Sequence, residues 1–155
     1  MALEIERKFL VGGTGWEAAV SSRRRLVQFY LTRDAKSSVR VRIEDEARAW
    51  LTIKTATSGV SRSEFEYPIP LGDAAEMMAL AEGAVIDKVR HIVAHGGFDW
   101  EVDVFAGDNA GLVIAEVELP SVEQSFELPG WIGPEVTHDR RYYNASLVQR
   151  PFKGW

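Results

Sequence analysis

No cysteine occurs among the 155 residues, which excludes disulfides, thiolate metal sites and cysteine nucleophiles together. Histidine is nearly as scarce. His91, His95 and His138 stand at spacings that suit no metal site, and His95 before Gly96 reads as a turn. None of Ser37, Ser38, Ser58, Ser61 and Ser63 has a patterned histidine partner, so Ser-His-Asp hydrolysis is not expected. No uncharged apolar run approaches the ~18 residues of a membrane span. Positions 4, 6, 7 and 8 are charged where a secretory leader would be apolar, so a cytoplasmic setting is expected, and the missing cysteines fit it. A net charge of −5 disfavours a broad basic surface, so neither nucleic acid nor membrane is expected as a partner. Apolar content of 46% with 26% charged residues belongs to a folded globular chain, and the length suits a single domain over 1–155.

What the chain has in quantity is two-residue alternation, the period of a strand with two unlike faces. It predicts strands over 3–11, 25–32, 38–45, 49–55, 61–69, 85–94, 99–105 and 113–119, with His95-Gly96-Gly97 as a hairpin turn. Short helices are predicted near 16–20, 121–126 and 144–148. A longer one falls within 72–82, where Asp73 reads as N-cap with Glu76 at capping-box spacing. The fold class is therefore α+β and β-rich, with about eight antiparallel strands.

One face of these strands collects charge in like-signed pairs: Glu4 and Glu6 beside Lys8, Arg40 with Arg42, Glu64 with Glu66, Lys88 with Arg90, Glu101 with Asp103, and Glu116 with Glu118. Lys54 and Arg62 fall on the same faces. A solvated face needs only polarity, whereas like charges about 7 Å apart repel and favour a counter-charged ligand. Metal ions suit the carboxylates, and polyanion oxygens suit the Arg and Lys pairs. The opposite faces, including Ile5, Phe9, Phe29, Val41, Trp100 and Val117, need burial. Pattern alone fits an open curved sheet as well as a barrel closed around the charges. In the barrel, packing in a homodimer would cover remaining apolar exterior.

The blocks E-I-E-R-K at 4–8, R-V-R at 40–42, K at 54, E-F-E at 64–66, K-V-R at 88–90, E-V-D-V-F at 101–105, E-V-E at 116–118 and T-H-D-R-R-Y-Y-N at 137–144 resemble the CYTH superfamily of triphosphate tunnel metalloenzymes. The resemblance implies an eight-stranded closed antiparallel barrel with a charged interior. It implies a metal-dependent triphosphatase that binds a small-molecule triphosphate and Mg²⁺ or Mn²⁺, and is closest to the small bacterial inorganic triphosphatases. It assigns metal binding to Glu4, Glu6, Glu66, Asp103, Glu116 and Glu118. The phosphate clamp falls to Lys8, Arg40, Arg42, Lys54, Arg62, Lys88, Arg90 and Arg141. For the chemistry, Glu4 or Glu64 is expected to line up the attacking water, with an inward Tyr30 beside Lys88 as the alternative base. Other activities carried on this resemblance are an adenylate cyclase and a thiamine triphosphatase, and a non-catalytic polyphosphate or nucleotide sensor is the reading of another class. The chain departs from the small members at Phe29, where they carry glycine, and in the closing Pro151–Trp155 stretch.

Overall fold

The computed structural model describes residues 2–34, 36–55 and 61–155. Among these lie nine strands: β1 Ala2–Val11, β2 Val20–Arg33, β3 Ser37–Glu44, β4 Arg48–Thr55, β5 Ser61–Ile69, β6 Ile86–His95, β7 Phe98–Phe105, β8 Val113–Glu118 and β9 Ile132–Glu135. The order β5-β4-β3-β2-β6-β7-β8-β1 returns to β5, because β1 also pairs with β5. Eight antiparallel strands thus close into a barrel, and β9 adds to the far end of β1. Closure removes exposed edges and gives the alternating faces distinct fates, one lining the bore and one facing outward.

The outward apolar faces are buried in separate patches. Ile5, Phe9, Trp100, Val102 and Val117 pack beneath Trp16, Phe126 and Trp131. Phe29, Val41, Ile43 and Ala49 lie under α1 (Leu71–Met77), through Ala74, Met77 and Met78. Phe29 is fully buried there, so the ring that replaces the family's glycine fills space under the helix. At one end of the bore the inward face itself turns apolar. Tyr30, Ile86, Phe105 and Ile114 meet Leu147 and Val148 of a C-terminal segment built on α2 (Asn144–Leu147), which caps that end.

Local chemistry fixes the turns. Gly96 and Gly97 join β6 to β7 with φ of 60° and 84°, a two-residue turn that glycine enters without steric cost. Between β3 and β4 the non-glycine residues Asp45 and Glu46 also take positive φ. There the Arg25 N–H donates to Asp45 Oδ1 at 2.8 Å, and Asp45 N donates back to the Arg25 carbonyl.

Several expectations need correction. β2 begins at Val20, five residues early, because β6 pairs with it along Val20 to Gln28 although its first residues are polar on both faces. β9 was not expected, since Gly133 and Pro134 break its pattern; it survives as an edge strand, where a missing N–H is tolerated. Residues 121–126 form a turn and extended chain instead of a helix. Asp73 lies in the first turn of α1 while Pro70 holds the cap position, so its carboxylate acts on the helix dipole without a capping hydrogen bond.

Candidate functional site

The bore is lined from β1 by Glu6 and Lys8, from β2 by Tyr30, and from β3 by Ser38, Arg40 and Arg42. Lys54, Arg62, Glu64, Arg90 and Glu116 complete the wall, and Tyr143, Asn144 and Ala145 close the capped end. Antiparallel register sets these neighbours: Lys8 lies opposite Glu116, Arg40 opposite Thr52, Lys54 opposite Glu64 and Arg90 opposite Asp103. Arg42 also faces a second opening, lined by Arg24, Leu26, Glu44, Trp50 and Glu66.

Asp103 organises the buried charge. It is 1% exposed and accepts from Arg90 Nε and Nη2 at 2.8 and 2.9 Å, with Lys88 Nζ at 2.7 Å. Burial opposes its charge, but Arg90 and Lys88 hold its carboxyl well below the usual range. Arg90 also reaches Glu101 at 3.0 Å. Lys88 is fully buried and donates to Asn144 Oδ1 at 3.2 Å. Burial draws its pKa down to about 7, helped by Arg90 and Arg42 and resisted by Asp103 and Glu116.

Three further pairs cross the barrel wall: Lys54–Glu4 at 2.9 Å, Arg62–Glu6 at 3.0 Å and Lys8–Glu116 at 3.3 Å. Burial and Glu4 oppose the charge on Glu6, yet Lys54 and Lys8 keep its carboxyl below the ordinary value. Glu118, at the end of β8, is pushed up by burial and by Glu4, Glu101, Glu6 and Glu64, which marks a crowd of carboxylates.

Two cations are left over. Among the described residues Arg40 and Arg42 make no ion pair with a carboxylate. Arg40 is 5% exposed, the only hydrogen bond of its side chain among the described residues is a 3.4 Å contact to Thr52, and its Nε has no partner there. Arg42 donates to Gln28 Oε1 at 2.9 Å, leaving the buried Gln28 Nε2 without an acceptor. Burial, with Arg40 and Arg90, lowers Arg42 to about 9, so it remains charged at neutral pH. Buried charges are ordinarily paired, so these guanidinium groups and the free amide leave donors in the bore that an anion could satisfy.

The CYTH domain profile matches residues 2–152. The chain belongs to the CYTH family. It is 45% identical to an inorganic triphosphatase of Acetivibrio thermocellus over 156 residues, covering 100% of this chain and 99% of the relative. An inorganic triphosphatase of Nitrosomonas europaea is 36% identical over 150 residues, covering 94% and 96%. A crystal structure of an inorganic triphosphatase superposes with a TM-score of 0.68 at 33% identity, covering 96% of this chain and 95% of that one. A conserved protein of Pyrococcus furiosus, 19% identical with a TM-score of 0.62 over 77% of this chain and 80% of that one, shares the fold.

Membership of the CYTH family implies a divalent metal. The donor set fits one, because Glu4, Glu6, Glu116 and Glu118 are hard oxygen ligands and Glu118 is raised by crowding with other carboxylates. Among the described residues no three acidic groups already converge at ligand distance, since Glu4, Glu6 and Glu116 are each held by a cation.

The structure brings most of the expected CYTH residues to the bore lining, and six lie off it. Glu4 is held by Lys54 beside the lining, and Glu118 is exposed at the end of β8. Lys88 and Asp103 share the inward strand face with Arg90 but do not line the open cavity, and they bind each other. Glu66 sits at the second opening, where it accepts from Thr52 at 3.2 Å. Arg141 is outside the bore altogether, exposed and paired with Asp139 at 2.6 Å. Sequence reasoning missed Gln28, Thr52 and Tyr143. Tyr143 hydroxyl donates to the Thr137 carbonyl, and its ring faces Lys8 Nζ at 5.2 Å. The T-H-D-R-R-Y-Y-N block carried that signal, but its arginine drew the attention.

Proposed function

We propose that the protein hydrolyses inorganic triphosphate to phosphate and diphosphate, using a divalent metal, Mg²⁺ or Mn²⁺. The observation that carries this reading is the pair Arg40, buried, and Arg42, half-buried, which among the described residues have no carboxylate partner although Glu6, Glu64 and Glu116 line the same closed bore. The full-length similarity to two inorganic triphosphatases supports it. Triphosphate carries about four negative charges, and phosphoryl transfer depends chiefly on positioning and charge stabilisation. Arg40 and Arg42 hold phosphate oxygens bidentately, and Lys8, Lys54, Arg62 and Arg90 add positive charge. Glu4, Glu6, Glu116 and Glu118 would hold the metal, which supplies Lewis-acid neutralisation of phosphate oxygens.

Glu64 on the lining orients a water towards the terminal phosphorus. As the water oxygen bonds to phosphorus, the bridging P–O bond breaks and diphosphate leaves with that electron pair. Lys88 takes the water's proton. Its pKa of about 7 suits a base at neutral pH. Asp103 and Asn144 fix its position, and Tyr30 stands on the lining at the same end. Asp103 is thereby a positioning residue, and Arg141 has no part in the clamp.

The test incubates pure protein with tripolyphosphate, ATP or thiamine triphosphate, each with Mg²⁺, Mn²⁺ or EDTA. Metal-dependent phosphate release that is fastest from tripolyphosphate is expected. Cyclic AMP from ATP would replace this reading with a cyclase, and tight binding without turnover would replace it with a sensor.

A further inference from the structure

Beyond the capped end lies a cleft of about 460 Å³ that shares no lining residue with the bore. Its wall comes from the segment 140–150, whose residues Tyr143, Asn144 and Ala145 line the tunnel. Arg33, Arg140, Arg141 and Arg150 converge on this cleft, with Trp155 as an aromatic wall. Arg141 is matched by Asp139. Among the described residues Arg33, Arg140 and Arg150 pair with no carboxylate, and Arg33 Nε is buried without a hydrogen-bond partner.

Trp155 is held in place from behind. Tyr142 and Phe152 pack edge-on against it, each at 5.1 Å, and its Nε1 donates to the Arg150 carbonyl at 2.9 Å. It nonetheless stays 44% exposed. The Arg141 guanidinium lies over the indole at 5.2 Å, so the exposed part of the fixed ring and the unpaired Arg33, Arg140 and Arg150 offer aromatic surface and phosphate donors in one place. The volume lies in the range of pockets that take small organic ligands. A bare phosphate chain would gain nothing from the indole, whereas a nucleotide uses both halves.

We propose that this cleft is a nucleotide-binding site separate from the tunnel, seating the base of a nucleoside diphosphate on Trp155 and its phosphates among Arg33, Arg140 and Arg150. The test is calorimetric titration of ADP in EDTA into protein carrying Arg40→Ala, which removes a tunnel cation. One ADP site is expected to survive in that background. It should weaken at least tenfold when Arg140→Ala and Arg150→Ala are added, and at least fivefold with Trp155→Ala. Pyrophosphate should bind there at least tenfold more weakly than ADP. Arg140 and Arg150 are exposed, so their double variant should keep tripolyphosphate turnover, which reports an intact barrel. The proposal is overturned if ADP does not bind the Arg40→Ala protein, if the arginine pair or Trp155 does not matter, or if pyrophosphate binds as tightly.

Discussion

Asp103→Asn changes one buried charge without changing shape, so it isolates what that charge holds in place. The amide fills the same volume and leaves no cavity. Arg90 keeps Glu101 at 3.0 Å, but Lys88 keeps only the Asn144 side-chain Oδ1 at 3.2 Å. Breaking a buried ion pair from one side typically costs about 3–5 kcal/mol. For a chain of this size each kcal/mol moves Tm by about 2–4 °C, so a fall of about 6–20 °C is expected. Urea unfolding at unchanged m-value reads the same loss as a lower midpoint. The deficit should narrow above pH 7, because Lys88 is then mostly neutral in the native protein and has less attraction to lose. Adding Lys88→Met should return part of the stability, with a coupling of at least about 1 kcal/mol between the two sites. A single variant within about 0.5 kcal/mol of the native protein, or a double variant showing no coupling, would refute the reasoning.

Arg40→Met should leave ligand-free stability unchanged or raised, since it removes a buried charge that no carboxylate offsets. It should also lower kcat/KM for tripolyphosphate at least a hundredfold; thermal melts and initial rates check both, and a large ligand-free loss would contradict the assignment. Glu6→Gln should abolish metal-dependent turnover while tripolyphosphate still binds in EDTA, as measured by calorimetry; native-like turnover would remove Glu6 from the metal set. Turnover should rise with pH through about 7 as Lys88 deprotonates, and Lys88→Met should erase that limb. The same depressed pKa has a stability counterpart. Between about 7 and the ordinary 10.5 the unfolded chain holds a proton that the folded one does not, so the contribution of Lys88 to stability rises with pH across that window.

The strands and their inward charges were legible because alternation is a local property. Val39, Val41 and Ile43 against Arg40 and Arg42 announce both the strand and its faces. Where alternation lapses the reading fails: Ser21 to Arg25 is polar on both faces, and Ile132 to Glu135 carries Gly-Pro, although pairing partners make strands of both. Ion pairing was not legible, because it depends on register between distant segments. Nothing local reveals that Asp103 is spent on Lys88 and Arg90 while Arg40 goes unmatched. Arg141 shows the converse. Its block belongs to the family, yet a local turn directs its side chain to Asp139.

The β1–β5 contact is a short seam in the closed wall, with Ala2 to Ile5 meeting Ser61 to Glu64 among the described residues. Arg62–Glu6 stitches that seam and Lys54–Glu4 ties β4 to β1 across β5, and all four side chains are ones that triphosphate and its counter-ion would claim. On the proposed function, loading the bore would exchange these stitches: the carboxylates would hold the cation, the ammonium and guanidinium groups would hold the polyanion, and the cargo itself would become the clasp. Amide hydrogens along this seam should exchange fastest in the empty barrel and slow more than elsewhere once it is filled.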